Sequence, residues 1–190
     1  MRRSDLEHII RAASGISGER ELLIIGTASL LGTVPNPPDE LARSRDADLY
    51  PLRRPELADL IDGSIGEGSP FEEAFGCYAQ GVGPNTAKLP AGWDSRLVKV
   101  QSTDTNNNIG YCLEPHDLAA SKLAAGREKD REFVRAMARH HLLDAALLQQ
   151  RVTALPIEDV HKERLKLWVS HQLGESREKT PRPGGRGRGR

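Results

Sequence analysis

The residues Glu21-Leu22-Leu23-Ile24-Ile25 form a nearly continuous apolar run that Gly26 brings to an end. Too short for a self-sufficient helix, the run has the form of a strand covered on both faces, and such a strand needs other layers on either side. An α/β or α+β sheet supplies them. Upstream, Ser4-Asp5-Leu6-Glu7 has the Ser-x-x-Glu pattern of a capping box, and Leu6, Ile9, Ile10 and Ala13 follow at helical spacing until Gly15 and Gly18. Downstream, residues 27–31 are expected to open a helix directly after the strand.

A proline-rich loop, Pro35-Asn36-Pro37-Pro38, separates that helix from a short one expected at 39–42. Arg45-Asp46-Ala47-Asp48-Leu49-Tyr50 then reads as a second strand stopped by Pro51. Pro55 suits the first position of a helix over 55–61, and Ser69-Pro70-Phe71-Glu72 repeats the capping pattern ahead of a glycine-punctuated stretch. Residues 95–101 alternate with period two and predict a third strand, with 109–113 as the next extended segment. From Pro115 the periodicity becomes helical, over 115–125, 127–141, 144–154 and 159–173. The organisation expected is a core over 1–113, a helical region over 114–174 packing on it, and a disordered arginine- and glycine-rich tail over 175–190.

With 190 residues, a formal net charge of zero and 37% apolar residues, the composition is that of a soluble globular chain, and bulk charge points to neither nucleic acid nor membrane. No apolar run approaches the roughly 18–20 residues that span a bilayer, and the N-terminal segment carries acidic residues where a signal peptide is apolar. A cytoplasmic location and no membrane partner are therefore expected. Cys77 and Cys112 stand far apart with no Cys/His cluster, which argues against zinc and a disulfide scaffold and for two small buried residues.

The chemistry is concentrated in the second strand. Residues i and i+2 of a strand share a face, so Asp46 and Asp48 present two carboxylates roughly 7 Å apart at their origins. They repel one another unless a positive charge intervenes. Mg2+ is the natural candidate, since it takes one or two protein carboxylates and completes its shell with water and phosphate oxygens. Gly26 lets the backbone pass closely by a phosphate, and Thr27 adds a hydroxyl and the N–H donors of a helix start. The alternative is a solvated strand end paired with Arg43 and Arg45, with Gly26 an ordinary turn.

This order of strand, Gly26-Thr27, helix and Ser44-Arg45-Asp46-Ala47-Asp48-Leu49 resembles the polymerase-beta-like nucleotidyltransferase superfamily, in particular small bacterial proteins of the AbiEii-toxin-related and DUF6036 types. A second block, Pro115-His116-Asp117-Leu118-Ala119-Ala120-Ser121-Lys122-Leu123-Ala124-Ala125-Gly126-Arg127-Glu128-Lys129-Asp130, resembles the family's helical lysine followed by an arginine and an aspartate. The likeness covers about residues 20 to 150. It implies an α+β fold, a small mixed-sheet nucleotidyltransferase core followed by a C-terminal helical annex. It also implies an NTP donor held with Mg2+, with Asp46 and Asp48 as metal ligands and catalytic carboxylates, and Gly26 and Thr27 at the triphosphate. Lys122 would act on the nucleotide phosphates, with Arg127 and Asp130 shaping the same cleft. For these last three the plainer alternative is a helix surface carrying routine charge pairs. The chain departs from the family in having Gly-Thr where Gly-Ser or Gly-Gly is usual, and in lacking an obvious third carboxylate at 97–101, with Asp104 the nearest substitute.

Arg182, Arg186, Arg188 and Arg190, spaced by glycine and proline, resemble flexible basic segments that attract RNA phosphates. An RNA acceptor such as tRNA is one expected partner, an antitoxin or other partner protein a second; a solubilising end is the alternative. The reading that results is an Mg-dependent nucleotidyltransferase, the toxin component of a toxin-antitoxin pair, acting on an RNA or protein hydroxyl. Its rival is a binding or regulatory module of the same fold with little or no catalysis, and a transferase acting on an antibiotic shares the same donor site.

Overall fold

The computed structural model describes residues 1–178. Helix α1 (Arg3–Ser17) leads into β1 (Glu21–Ile25), and a 3-10 turn (Thr27–Gly32) follows at once. A second 3-10 turn (Asp39–Leu41) precedes β2 (Asp46–Pro51), after which come α2 (Ala58–Ile65), α3 (Pro70–Phe75) and β3 (Tyr78–Gly81). A further 3-10 turn (Trp93–Arg96) leads to β4 (Val98–Val100) and β5 (Ile109–Cys112). The chain then continues as α4 (Pro115–Ala125), α5 (Glu128–Arg139), α6 (Ala145–Thr153) and α7 (Asp159–Glu178). The fold is α+β. No helix among the described residues is long and apolar enough to cross a membrane.

The five strands lie in the order β3-β2-β1-β5-β4. β1 is central, as its unbroken apolar sequence requires, running antiparallel to β2 and parallel to β5. β2 also pairs in parallel with β3, and β4 closes the far edge against β5. Alternation along the strands divides the interior into two cores. Leu22, Ile24, Ala47 and Leu49 face α1 and α2 with Leu6, Ile9, Ile10 and Ile61. Leu23, Ile25 and Tyr50 point the other way and pack with Leu118, Leu123, Val134 and Met137 of α4 and α5. Asp46 and Asp48 share the parity of Tyr50, so their side chains leave the sheet on the face covered by α4 and α5.

Several expectations need correction. The cap of α1 is made by Asp5, whose Oδ2 accepts the Arg2 backbone N–H at 2.7 Å, while Ser4 lies inside the helix. Residues 27–32 form a 3-10 turn and not an α-helix. The expected strand over 95–101 shrinks to Val98–Val100, because Ser95 and Arg96 belong to a 3-10 turn and the Arg96 guanidinium is drawn to Asp117. β3 has no counterpart among the expected elements: Tyr78-Ala79-Gln80-Gly81 is short, ends in glycine and owes its extension to pairing with β2. α7 runs past Gly174 to Glu178. The arginines of the tail, Arg182, Arg186, Arg188 and Arg190, lie outside the described residues. Cys77 and Cys112 are both buried and free, as expected of small core residues, and Trp93 packs against the helical-side core as a loop anchor.

Candidate active site

The β1–β2 register sets Ile25 against Asp48, so Gly26, the next residue, lies beside the Asp48 carboxylate. Gly26 has φ +68°, and a Cβ built on it would stand 2.0 Å from Asp48 Oδ2. Glycine is thus required twice, for the left-handed backbone and for room to seat the carboxylate. Asp46, two residues earlier on the same face, accepts a hydrogen bond from the Ser44 hydroxyl. Burial and the neighbouring Asp46 push the Asp48 carboxyl up to about 6, against the opposing pull of Lys122, Arg127 and Lys129. Two carboxylates held this close and partly out of water are a site that favours a cation.

The cations come from the helices opposite. Gly26, Asp48, Lys122, Arg127 and Asp130 line one pocket, and Thr27, Asp46, Asp48, Lys122, Arg127 and Asp130 line an adjoining cleft of about 840 Å³. The seven residues singled out from the sequence therefore meet in one region. Asp130, only 1% exposed, accepts from Lys122 Nζ at 3.2 Å through Oδ1 and from Arg127 Nε at 2.7 Å through Oδ2. Such a buried carboxylate is not a routine surface pair. It cancels one of the two positive charges and fixes where both are aimed, so the trio offers one net positive charge across from the aspartates. The Lys122 ammonium also lies 5.3 Å from the Phe133 ring centroid, a second restraint on its position. Arg127 is otherwise exposed and, while paired with Asp130, already lines the cleft.

Of the alternative partners for the strand aspartates, Arg45 is drawn away to Glu72 at 3.2 Å, and Arg43 stays in the same cleft. Asp104 fails as a third carboxylate, since it follows β4 at the opposite edge of the sheet and its backbone carbonyl accepts from Arg11. The strand beside β2 is β3, where Gln80 stands in register with Asp48 and lines the cleft. Among the described residues no group of three or more His, Cys, Asp or Glu side chains is arranged to hold a metal. What the chain offers is a pair of carboxylates, one seated against glycine and one oriented by a hydroxyl. That donor set fits Mg2+, which leaves the rest of its shell to water and phosphate.

Two histidines near the helices are engaged elsewhere: His116 has its Nδ1 2.6 Å from Glu114 Oε1 and takes the Asp144 backbone N–H on Nε2, while His140 contacts Glu40. Sequence reasoning missed Gln80 and Thr86 as cleft residues. Gln80 reaches the cleft only through the tertiary pairing of β3 with β2, and the loop carrying Thr86 has no local signal.

Compared with known proteins, residues 4–169 match a family model described as nucleotidyltransferase of unknown function (DUF6036). Neither a curated protein nor a solved structure gives a significant match.

Proposed function

Since the chain belongs to the DUF6036 family of nucleotidyltransferases, we propose that it moves a nucleotidyl group from an NTP to a hydroxyl in the cleft between β2 and helices α4 and α5. The observation that carries the reading is the seating of Asp48 against Gly26, beside Asp46 and facing the Lys122–Asp130–Arg127 trio. A bare pair of carboxylates this close is self-repelling, and a polyphosphate alone would be repelled by them. Mg2+ bound by Asp46 and Asp48 would supply charge neutralisation of the phosphates and polarisation of the reacting phosphoryl group.

The chain's own residues divide the remaining work. Gly26 gives the backbone clearance that keeps Asp48 in place, and the Thr27 hydroxyl is available to a phosphate oxygen. Lys122, held by Asp130 and Phe133, contributes a fixed positive charge toward the pyrophosphate as it leaves, and Arg127, held by the same carboxylate at the cleft wall, faces the phosphates. Asp130 acts through them as a positioning residue. An NTP donor is consistent with action in the cytoplasm.

The acceptor we assign is an RNA or protein hydroxyl, and the biological role that of a toxin held by an antitoxin. Both rest on the resemblance of residues 44–49 and 115–130 to AbiEii-type proteins. The test is incubation with Mg2+, each labelled NTP in turn and total RNA or cell protein, beside an Asp46→Ala/Asp48→Ala double variant shown to be folded. Label transferred by the intact protein alone is expected, as is growth arrest on its expression that the double variant does not cause. Equal labelling by both proteins sinks the mechanism, and nucleotide binding with no transfer favours the binding-module alternative.

A further inference from the structure

The large cleft and the smaller pocket meet at Asp48, Thr86, Lys122, Arg127 and Asp130, and otherwise have different walls. Asp46, Ser44 and Lys129 belong to the cleft of about 840 Å³, and Gly26 and Ser121 to the pocket of about 180 Å³. The cleft is lined largely by charged groups and has room for a nucleotide. The pocket is smaller than the roughly 300 Å³ at which whole-ligand sites begin, so it takes one group and not a nucleotide.

Resting on the nucleotidyl-transfer reading, we propose that this pocket receives the acceptor, as a hydroxyl carried on a compact apolar frame such as a phenol. Ile25, Ala87, Leu118, Ala124 and Ala125 give it an apolar lining for a carbon frame, while Asn85, Thr86, Lys88 and Ser121 add polar side chains to the same pocket. It has no aromatic ring on which a base would stack. A body that is apolar along its length and polar at the tip keeps its carbons among the alanines and its oxygen at the Asp48 and Lys122 end. There the oxygen meets the phosphate arriving from the cleft. The acceptor oxygen bonds to the α-phosphorus, the bond from that phosphorus to the bridging oxygen breaks, pyrophosphate leaves with its electron pair, and the hydroxyl proton passes to water.

Ala125 ends α4 and Asn85 lies in the loop after β3, both exposed and both lining the pocket, so Ala125→Phe and Asn85→Trp fill it without entering the core. The full chain and each variant are given Mg2+, labelled NTP and either N-acetyl-tyrosinamide or total RNA, with NTP affinity measured separately by calorimetry. The expected result is label on N-acetyl-tyrosinamide with the intact protein, lowered tenfold or more by each substitution while NTP affinity stays within twofold. Weakened NTP binding in the variants would mean that the pocket holds part of the donor, and undiminished labelling would mean that it holds nothing in the reaction. Label on RNA but none on N-acetyl-tyrosinamide overturns the acceptor class. NTP binding with no label on either acceptor, or no NTP binding, overturns the transferase reading itself and this assignment with it.

Discussion

At the scale of single residues, Gly26 and Asp48 have to be understood together. An alanine at 26 would adopt φ +68° at a cost of about 1–2 kcal/mol and would place its methyl on the Asp48 carboxylate. Asp48 lies in a wall of both pockets, so the collision displaces the group that the proposed metal needs. Gly26→Ala is expected to lower stability by about 1–3 kcal/mol in urea unfolding. Divalent-cation affinity, followed by Mn2+ titration, should fall further than that loss explains. Asp48 carries its own signature. Its carboxyl is raised from 3.8 to about 6 in the fold, chiefly by burial and then by Asp46. The metal-free native state therefore holds a proton that the unfolded chain gives up between about pH 4 and 6, and stability falls as pH rises through that window. The penalty is complete above about pH 6 and absent below about pH 4. Asp48→Asn removes it, and should be more stable than the intact protein by about 1–3 kcal/mol at pH 8 in EDTA, with no such gain at pH 4. Parallel pH profiles for the two proteins would show that Asp48 is not strained by its charge.

At the scale of elements, helix α4 carries Lys122 and is fastened from its first turn. Asp117 is fully buried and accepts from Arg96 Nε and Nη2, each at 2.8 Å, while Arg151 Nε of α6 lies 3.2 Å from its Oδ1 as an ion pair. One carboxylate thereby ties together the turn before β4, α4 and α6. Its removal leaves two guanidinium groups partly buried without their anion. Asp117→Ala is expected to cost about 3–5 kcal/mol, seen as a lowered urea midpoint, whereas a change below about 1 kcal/mol would mean that α4 is held by packing alone. Asp117 stood within the block from 115 to 130 but nothing local marked it as a fastening, since its partners are 21 and 34 residues away. The same limit explains the elements that were misjudged. β1 and β2 carried their own alternation or apolar run and could be read directly, as could α4. β3 is extended because β2 templates it, and residues 95–96 leave their strand because Asp117 attracts Arg96, and both causes are tertiary.

At the scale of the whole molecule, the site was legible to the extent that strand parity governs it. Parity put Asp46 and Asp48 on one face, and strand order put Gly26 beside them, but only the packing of α4 and α5 on that face brings Lys122, Arg127 and Asp130 opposite. The sequence offered no way to see that Asp104 would end at the other edge of the sheet, or that the cleft would divide at Asp48. This arrangement has a thermodynamic consequence. The walls belong to separate elements, β2 on one side and α4 with α5 on the other, so a ligand bridging them binds the folded chain and not the unfolded one. The aspartates repel a polyphosphate and the trio offers only one net positive charge, so nucleotide and Mg2+ each relieve the obstacle to the other. Bound together as one Mg–NTP complex at 100 times its dissociation constant, they should stabilise the fold by about 2.7 kcal/mol, while the NTP alone in EDTA gives little. Thermal unfolding with NTP, with Mg2+ and with both measures this directly, and the signature expected is a shift in Tm with both that exceeds the sum of the separate shifts. In the Asp46→Ala/Asp48→Ala variant the excess should vanish, because the aspartates that made the metal necessary are gone. An excess of the same size in that variant would place the divalent ion on the nucleotide alone and remove both aspartates from metal binding.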